Sequence, residues 1–429
     1  MNEREFEGRR ILAELRRGGL SRRQALRGLL ATGFAAALAP RMIDEVLADE
    51  AGKQAGPGGI PLGRPDKPVT LPLFEQPIKS GLEPETGGTF RIFNYSDYID
   101  KKLVEAFGKT YGVKTELTTF DSIDQAITRL ATKQVQPDVT DMTPERLDQA
   151  VAGKLIKPIN LDYIPNFKKN VWPSLLSPFY DVGSRYTVPY TIYTTGIGWR
   201  AEKISEDIAK LDNPWSIFWK AEKYKGYVGV LDDQRESLSM AMLYRGQYDI
   251  NTEDQAKIDQ ALADLKALIP ICNPKINITE YQTLANGSSW LHQSWSGDLL
   301  GAFFSYLPQG DDGSTLRYWH AAKGKGPIQN DCWSVCSTTT KPVLAHLWLN
   351  YLLDEDVAYN NFVQFTGYQP PQNAISADAL IAKKVIPPNL RSAVMTSEDA
   401  GEGSLQIMTL TPKGLALWQN AYARFNSGA

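Results

Sequence analysis

From Gly88 onward the chain alternates short strand-like runs with amphipathic helices, and this alternation restricts the fold more than any other feature of its 429 residues. Thr89-Phe90-Arg91-Ile92-Phe93 reads as a strand. In the helix that follows, Leu103, Val104, Phe107 and Tyr111 share a face, and Gly112 stands where a left-handed residue ends a helix. Val113 to Thr119 alternates as a second strand. Ser122 with Gln125 three residues on is a capping-box pattern, and Ile123, Ala126, Ile127 and Leu130 form the stripe behind it. Asp138 to Met142 is a third strand. Thr143-Pro144 then opens another helix with proline in its first position. Strand–helix–strand repetition at this spacing predicts parallel strands joined by crossover helices, and ligands in such sheets bind beyond the carboxyl ends of the strands.

The texture changes at Tyr186-Thr187-Val188-Pro189-Tyr190-Thr191-Ile192-Tyr193-Thr194-Thr195-Gly196-Ile197-Gly198-Trp199. This β-branched, aromatic run with a glycine pair is either a plain core strand or a crossover between two lobes, and the crossover is the better reading. Further on, Trp215 to Trp219 opens a helix and Tyr227 to Leu231 is a strand. Residues 253–268 place Ile258, Leu262, Leu265 and Leu268 at helical spacing, and Leu344 to Leu353 forms a late helix.

The N-terminus reads as an export signal. Arg22-Arg23 precedes the apolar run Leu29 to Ala39, which is too short for a bilayer span of about 20 residues. The small residues near Val46-Leu47-Ala48 suit cleavage, and the arginine pair suits the twin-arginine route. Residues 1–48 are assigned to this signal. Residues 49–87, rich in Gly and Pro and without a period, are assigned to a flexible linker. No second long apolar run follows. The net charge of −3 argues against nucleic acid as the main partner. Cys272, Cys332 and Cys336 make no disulfide framework, and no Cys/His set has zinc spacing. With only His292, His320 and His346, general bases are scarce, and no cofactor is implied.

Carboxylates and aromatics gather where strands end. The first group is Asn94-Tyr95-Ser96-Asp97-Tyr98 and the second is Asp232-Asp233-Gln234-Arg235-Glu236. The third comprises Trp290, Trp295 and Trp333 with Asp298 and Asp331, and Tyr368 adds a loop aromatic. Such an inventory suits an organic polycation. A buried ammonium needs pairing and about three acceptors, and aromatic faces wall its methylenes and attract its charge. Structural explanations exist for each residue alone. Asp233 and Glu236 have helix-cap spacing, Glu145 lies in a helix's first turn, and Tyr95 and Tyr98 could pack on a core.

Several stretches together resemble the spermidine/putrescine-binding proteins of ABC importers: RIFNYSDYIDKKLVEAFGKTYGVK, GKLIKPIN, YTVPYTIYTTGIGW, KGYVGVLDDQRESLSMAM and TGYQPPQN. The resemblance runs from Phe90 to Ala374 and implies an α/β, type II periplasmic-binding-protein fold. In that fold two lobes with mixed sheets, joined by a hinge of crossing strands, close on a ligand. It would place lobe 1 at 88–194 plus 334–385 and lobe 2 at 195–333 plus 386–429. Position by position it carries ligand contacts to Tyr95, Ser96, Asp97, Tyr98, Asp233, Glu236, Trp295 and Tyr368. Thr143 and Gln406 are further candidates. Two departures bear on ligand identity: Asp331 meets the family's acid only with a one-residue shift, and Glu145 replaces an aromatic. The implied activity is capture of a polyamine and its delivery to a membrane permease, by an extracytoplasmic, monomeric, non-enzymatic protein. Alternatives are the same fold with an opine, an aminoalkylphosphonate or another organic cation, and, more remotely, a secreted glycoside hydrolase using paired acids.

Overall fold

The structure, a computed structural model, describes residues 55–427, so the export signal assigned to 1–48 lies outside the described residues. The strands are β1 (Thr89–Tyr95), β2 (Lys114–Phe120), β3 (Val139–Met142), β4 (Ile156–Lys157), β5 (Val188–Arg200), β6 (Val228–Leu231), β7 (Lys275–Asn277), β8 (Leu291–Trp295), β9 (Leu316–Trp319) and β10 (Ile328–Cys336). They run in the order β2-β1-β3-β10-β5-β8-β6-β7, with β4 on β10 and β9 on β5. β1 is parallel to β2 and β3, as the crossover helices require, while β10 returns antiparallel to β3 and β5. In the second lobe β6 is parallel to β7 and β8.

The local signals act as their chemistry dictates. Gly112 ends the helix Lys101–Tyr111 at φ 66°. Ser122 accepts from the backbone N–H of Gln125, whose side chain accepts in turn from Asp121 N–H at 3.1 Å. Pro144 occupies the first turn of the helix Pro144–Ala152, but the Thr143 hydroxyl makes no cap bond and donates to Glu145 Oε1 at 2.7 Å. The helix expected at 215–219 is a 3₁₀ segment, Pro214–Lys220.

The long strand β5 joins the two lobes. Its first half, Val188 to Thr194, pairs with β10, and its second half, Thr195 to Trp199, pairs with β8. One strand therefore belongs to both sheets, which is the crossover read from its β-branched, aromatic sequence. Phe90, Phe107, Trp333 and Trp348 fill the core on one face of the first lobe. Ile197, Phe218, Leu265 and Trp418 fill that of the second.

Two boundaries differ from those expected from sequence. Residues 328–333 pair with β3 and β5 of the first sheet, while Ile375, Leu380, Ile386 and Leu390 pack with Leu284, Leu299 and Leu316 of the second lobe. We therefore propose the first lobe as 88–194 plus 328–373. The Gly/Pro-rich stretch is also no free linker from residue 55 on. Ile60, Val69 and Leu71 are buried with Phe93, Ile127 and Leu147, and Val69 exchanges backbone hydrogen bonds with Phe179 and Val182. Glu85 accepts from Val343 and Leu344 N–H at the start of the helix Pro342–Leu352. The segment shows no helical or strand period because it is an extended strap, held by scattered apolar anchors and single backbone bonds rather than by a continuous ladder.

Leu71 is fully buried. Leu71→Ala is expected to cost about 2–4 kcal/mol in urea unfolding, from lost transfer energy and a residual cavity. A change within error would mean that the strap does not contribute to the core.

Candidate functional site

Residues at the carboxyl ends of β1, β3, β6 and β8 surround a cleft of about 670 Å³ between the lobes. That volume is in the range of small-molecule sites. On the first-lobe side the chain turns sharply after β1, with Asp97 at φ 52°. Tyr95 leans on Phe120 and Tyr98, with centroids 4.4 and 5.9 Å away. Tyr98 packs edge-on to Tyr190 and Tyr368. Its hydroxyl donates to Asp331 Oδ2 at 2.6 Å and accepts from Thr191 at 2.5 Å. Tyr193 donates to the other Asp331 oxygen at 3.3 Å. The register of β10 against β5 shifts between Asp331 and Cys332. Such a bulge re-aims side chains: Asp331 lines the cleft while Trp333 lies wholly in the core against Tyr190 and Trp348.

In the second lobe, Asp233 caps the helix Gln234–Tyr244 and accepts from the N–H groups of Arg235 and Glu236. A capping box would have the Glu236 side chain reach back to the cap residue. It turns into the cleft instead, where Oε1 accepts from Thr195 Oγ1 at 2.9 Å and from Trp295 Nε1 at 3.0 Å. Its Oε2 is buried with no partner. The capping role is thus real for Asp233 and not for Glu236. Beside them, Tyr368 lies flat on Gly297, where a Cβ would stand 2.4 Å from the ring. Tyr368 also lies beside Asp298, which neighbours a second buried acid, Glu280.

Nine carboxylates line the cleft (Asp97, Asp121, Asp124, Glu145, Asp232, Asp233, Glu236, Asp298 and Asp331) against two basic side chains, Arg146 and Arg235. Burial raises the affinity of these acids for protons. Glu236 is pushed up to about 8 by burial and then by the Asp233 charge, Asp331 to about 7 by burial, and Asp298 to about 6 by burial. Asp141, beneath the floor, has both oxygens buried without partners, and burial followed by Asp331 drives its pKa well up.

The cleft brings together Tyr95, Ser96, Asp97, Tyr98, Thr143, Glu145, Asp233, Glu236, Trp295, Asp331 and Tyr368. Gln406 does not join them. Its amide turns to Ser404, its backbone carbonyl accepts from Asn251, and Ile407 lines the cleft instead. Trp290 stacks on Tyr227 at 3.8 Å, and Trp333 is core, so of that aromatic group only Trp295 lines the cleft. Sequence reasoning missed Tyr193 and Tyr281. Tyr193 carried a signal, since it alternates with Ile192 on β5. Tyr281 carried none: it stands on a short helix, and its hydroxyl reaches Asp97 Oδ2 across the cleft at 3.2 Å.

The sequence matches the family model described as bacterial extracellular solute-binding protein over residues 102–388. The chain belongs to this family. Among curated relatives, the spermidine/putrescine-binding periplasmic protein of Escherichia coli K12 is 25% identical over 323 residues, 75% of this chain and 86% of that protein. The putrescine/agmatine-binding protein of Pseudomonas aeruginosa is 28% identical over 217 residues, 48% of this chain and 58% of that protein. The solved spermidine/putrescine ABC transporter substrate-binding protein PotD of Streptococcus pneumoniae superposes with a TM-score of 0.61 at 20% identity. It covers 80% of this chain and 99% of its own. A glucopine complex of MotA from Agrobacterium tumefaciens B6 gives 0.56 at 14% identity, covering 79% and 99%. Both share the two-lobed solute-binding fold. Among the described residues no helix is long and apolar enough to cross a membrane, and no group of His, Cys, Asp and Glu is arranged to hold a metal.

Two outcomes test this geometry. Glu236 ordinarily titrates at 4.5 and does so at about 8 in the folded chain. Its contribution to stability is therefore whole below about 4.5 and is lost as pH climbs toward 8, because the unfolded chain releases the proton first. The ligand-free solute-binding protein should melt at lower temperature at pH 8 than at pH 5, and Glu236→Gln should flatten that slope. A melting temperature that rises over this range would contradict the assignment. Gly297→Ala should displace Tyr368 and cost about 1–3 kcal/mol of stability, read by chemical denaturation. An unperturbed variant would show that the ring contact is soft.

Proposed function

We propose that this solute-binding protein captures a polyamine between its lobes outside the cytoplasm and presents it to the membrane permease of an ABC importer. The observation that carries this reading is the charge of the cleft, nine carboxylates to two arginines, set among tyrosine and tryptophan faces. An organic polycation meets both needs, since its ammonium groups compensate the acids and its methylenes lie against the rings. Asp331 with its tyrosines and Glu236 with Trp295 are the two most prepared ammonium sites. Tyr95, Tyr98, Trp295 and Tyr368 wall the chain between them, and Thr143, Ser96 and Asp97 rim the entrance. The names of the E. coli and P. aeruginosa relatives point to the same ligand class. Arg22-Arg23 and the apolar run after them support export by the twin-arginine route, and we take the working unit to be a monomer without a cofactor.

A ligand dominated by negative charge, such as a phosphonate or an acidic opine, would need a free cation. The Arg235 guanidinium is turned inward, bonded to the carbonyls of Met408 and Ile250 and to Asn251, and stacked over Trp418. Arg146 is held by Asp124.

Calorimetric titration of the signal-free protein with putrescine, spermidine, spermine, agmatine, an opine and a sugar tests the reading. At about a hundred times its dissociation constant the true ligand should add ~2.7 kcal/mol to stability. Glu236→Gln should weaken amine binding by roughly 30-fold or more, since one partner of a buried charge pair is lost. Heat from the opine or sugar alone would overturn the polyamine assignment and leave the receptor fold intact.

A further inference from the structure

The two basic side chains of the cleft do different things. Arg235 supports the second lobe's interior, as described above. Arg146 remains at the cleft wall, near the start of the helix Pro144–Ala152, with a side chain only 5% exposed and Nε 2.8 Å from Asp124 Oδ1. Glu145 precedes it in the chain, and Asp233 approaches from the opposite lobe, near enough that both carboxylates feel the guanidinium. Three acids thus act on one cation, Asp124 in direct contact with it. Such a guanidinium is already compensated, and a ligand carboxylate brought to it would meet Asp124, Glu145 and Asp233 as like charges. The opposite sign fares no better, because an ammonium placed there would face the guanidinium itself in a desolvated site.

We propose that Arg146 is a built-in cation standing where a longer ligand would set a further ammonium, so that the cleft selects diamines over triamines and tetra-amines. The inference rests on the polyamine-capture reading above. The acids left without a basic partner are consistent with it. Asp298 sits beside a second buried acid, Glu280, and beside Tyr368. Asp331 is held only by tyrosine hydroxyls, and Glu236 keeps one buried oxygen with no partner. Glu236 and Asp331 are thus two prepared acceptor sites for ammonium groups. Glu145, which stands where the family resemblance leads one to expect an aromatic, belongs to the same device: it balances Arg146 rather than the ligand.

The test is calorimetry with putrescine, spermidine, spermine and 4-aminobutanoate on the unmodified protein, Arg146→Met and Arg146→Lys, with thermal melts confirming that each variant is folded. The unmodified protein should prefer putrescine to spermidine by roughly tenfold or more. Arg146→Met should lose or reverse that preference, and Arg146→Lys, which keeps the charge, should retain it. The lysine variant also separates charge from packing if the methionine variant proves unstable. An unchanged spermidine-to-putrescine ratio in Arg146→Met, or a preference for spermidine in the unmodified protein, overturns the proposal while leaving polyamine capture standing. Tighter binding of 4-aminobutanoate than of putrescine would make Arg146 an anion receptor and overturn it as well. Absence of binding by every amine would remove the capture reading and this inference together.

Discussion

A carboxylate withdrawn from water must find donors, a counter-charge or a proton, and the arrangement of this molecule follows from how each buried acid is satisfied. Asp233 is answered by the backbone of the helix it caps. Asp124 and Glu145 are answered by Arg146. Asp331 takes two tyrosine hydroxyls. Glu236 within the cleft has one oxygen served and the other bare, and Asp141 behind it has both bare. The sheet topology shows how these gaps are held open. β5, which passes between the lobes, runs beside β10 through the first lobe's core, so the polar floor of the cleft is braced by apolar packing beneath it.

Much of the fold was legible because its signals are local. Helix stripes, the Ser122–Gln125 box and the glycine at 112 are set by residues within one turn, and each appears where the sequence places it. The crossing strand was legible too, because a long β-branched and aromatic run is suited to a strand buried on both faces. The strap at 55–87 was not. Its contacts with Phe179, Val182 and Val343 span more than a hundred residues, and no periodicity encodes such pairings.

The candidate site divides along the same line. Residues at strand ends, such as Tyr95, Asp97, Asp233 and Glu236, could be named because the topology alone delivers them to the cleft. Trp290 and Trp333 were attractive for their chemistry, yet the pleat decides which face a side chain takes, and the bulge after Asp331 sends Trp333 into the core. Composition cannot report a bulge. Gln406 failed for a related reason: it is one residue from Ile407, and in an extended segment one residue is the difference between facing a ligand and facing away.

One contact of the strap links parts that the hinge alone would leave independent. Arg64 stands between Gly63 and the carbonyl of Thr409, donating to both, at 2.7 and 3.0 Å. Its backbone pairs with Lys67 within the strap, whose nearby Val69 is bonded to Phe179 and Val182 of the first lobe, whereas Ile407 and Leu410 on either side of Thr409 belong to the second lobe's core. Any swing that parts the jaws along this edge must break that bond, at a net cost of about 1 kcal/mol. Part of the spring that sets how wide the molecule gapes is therefore mounted on its outer surface, in a segment that never meets the cargo and lies outside the region matched by the family model.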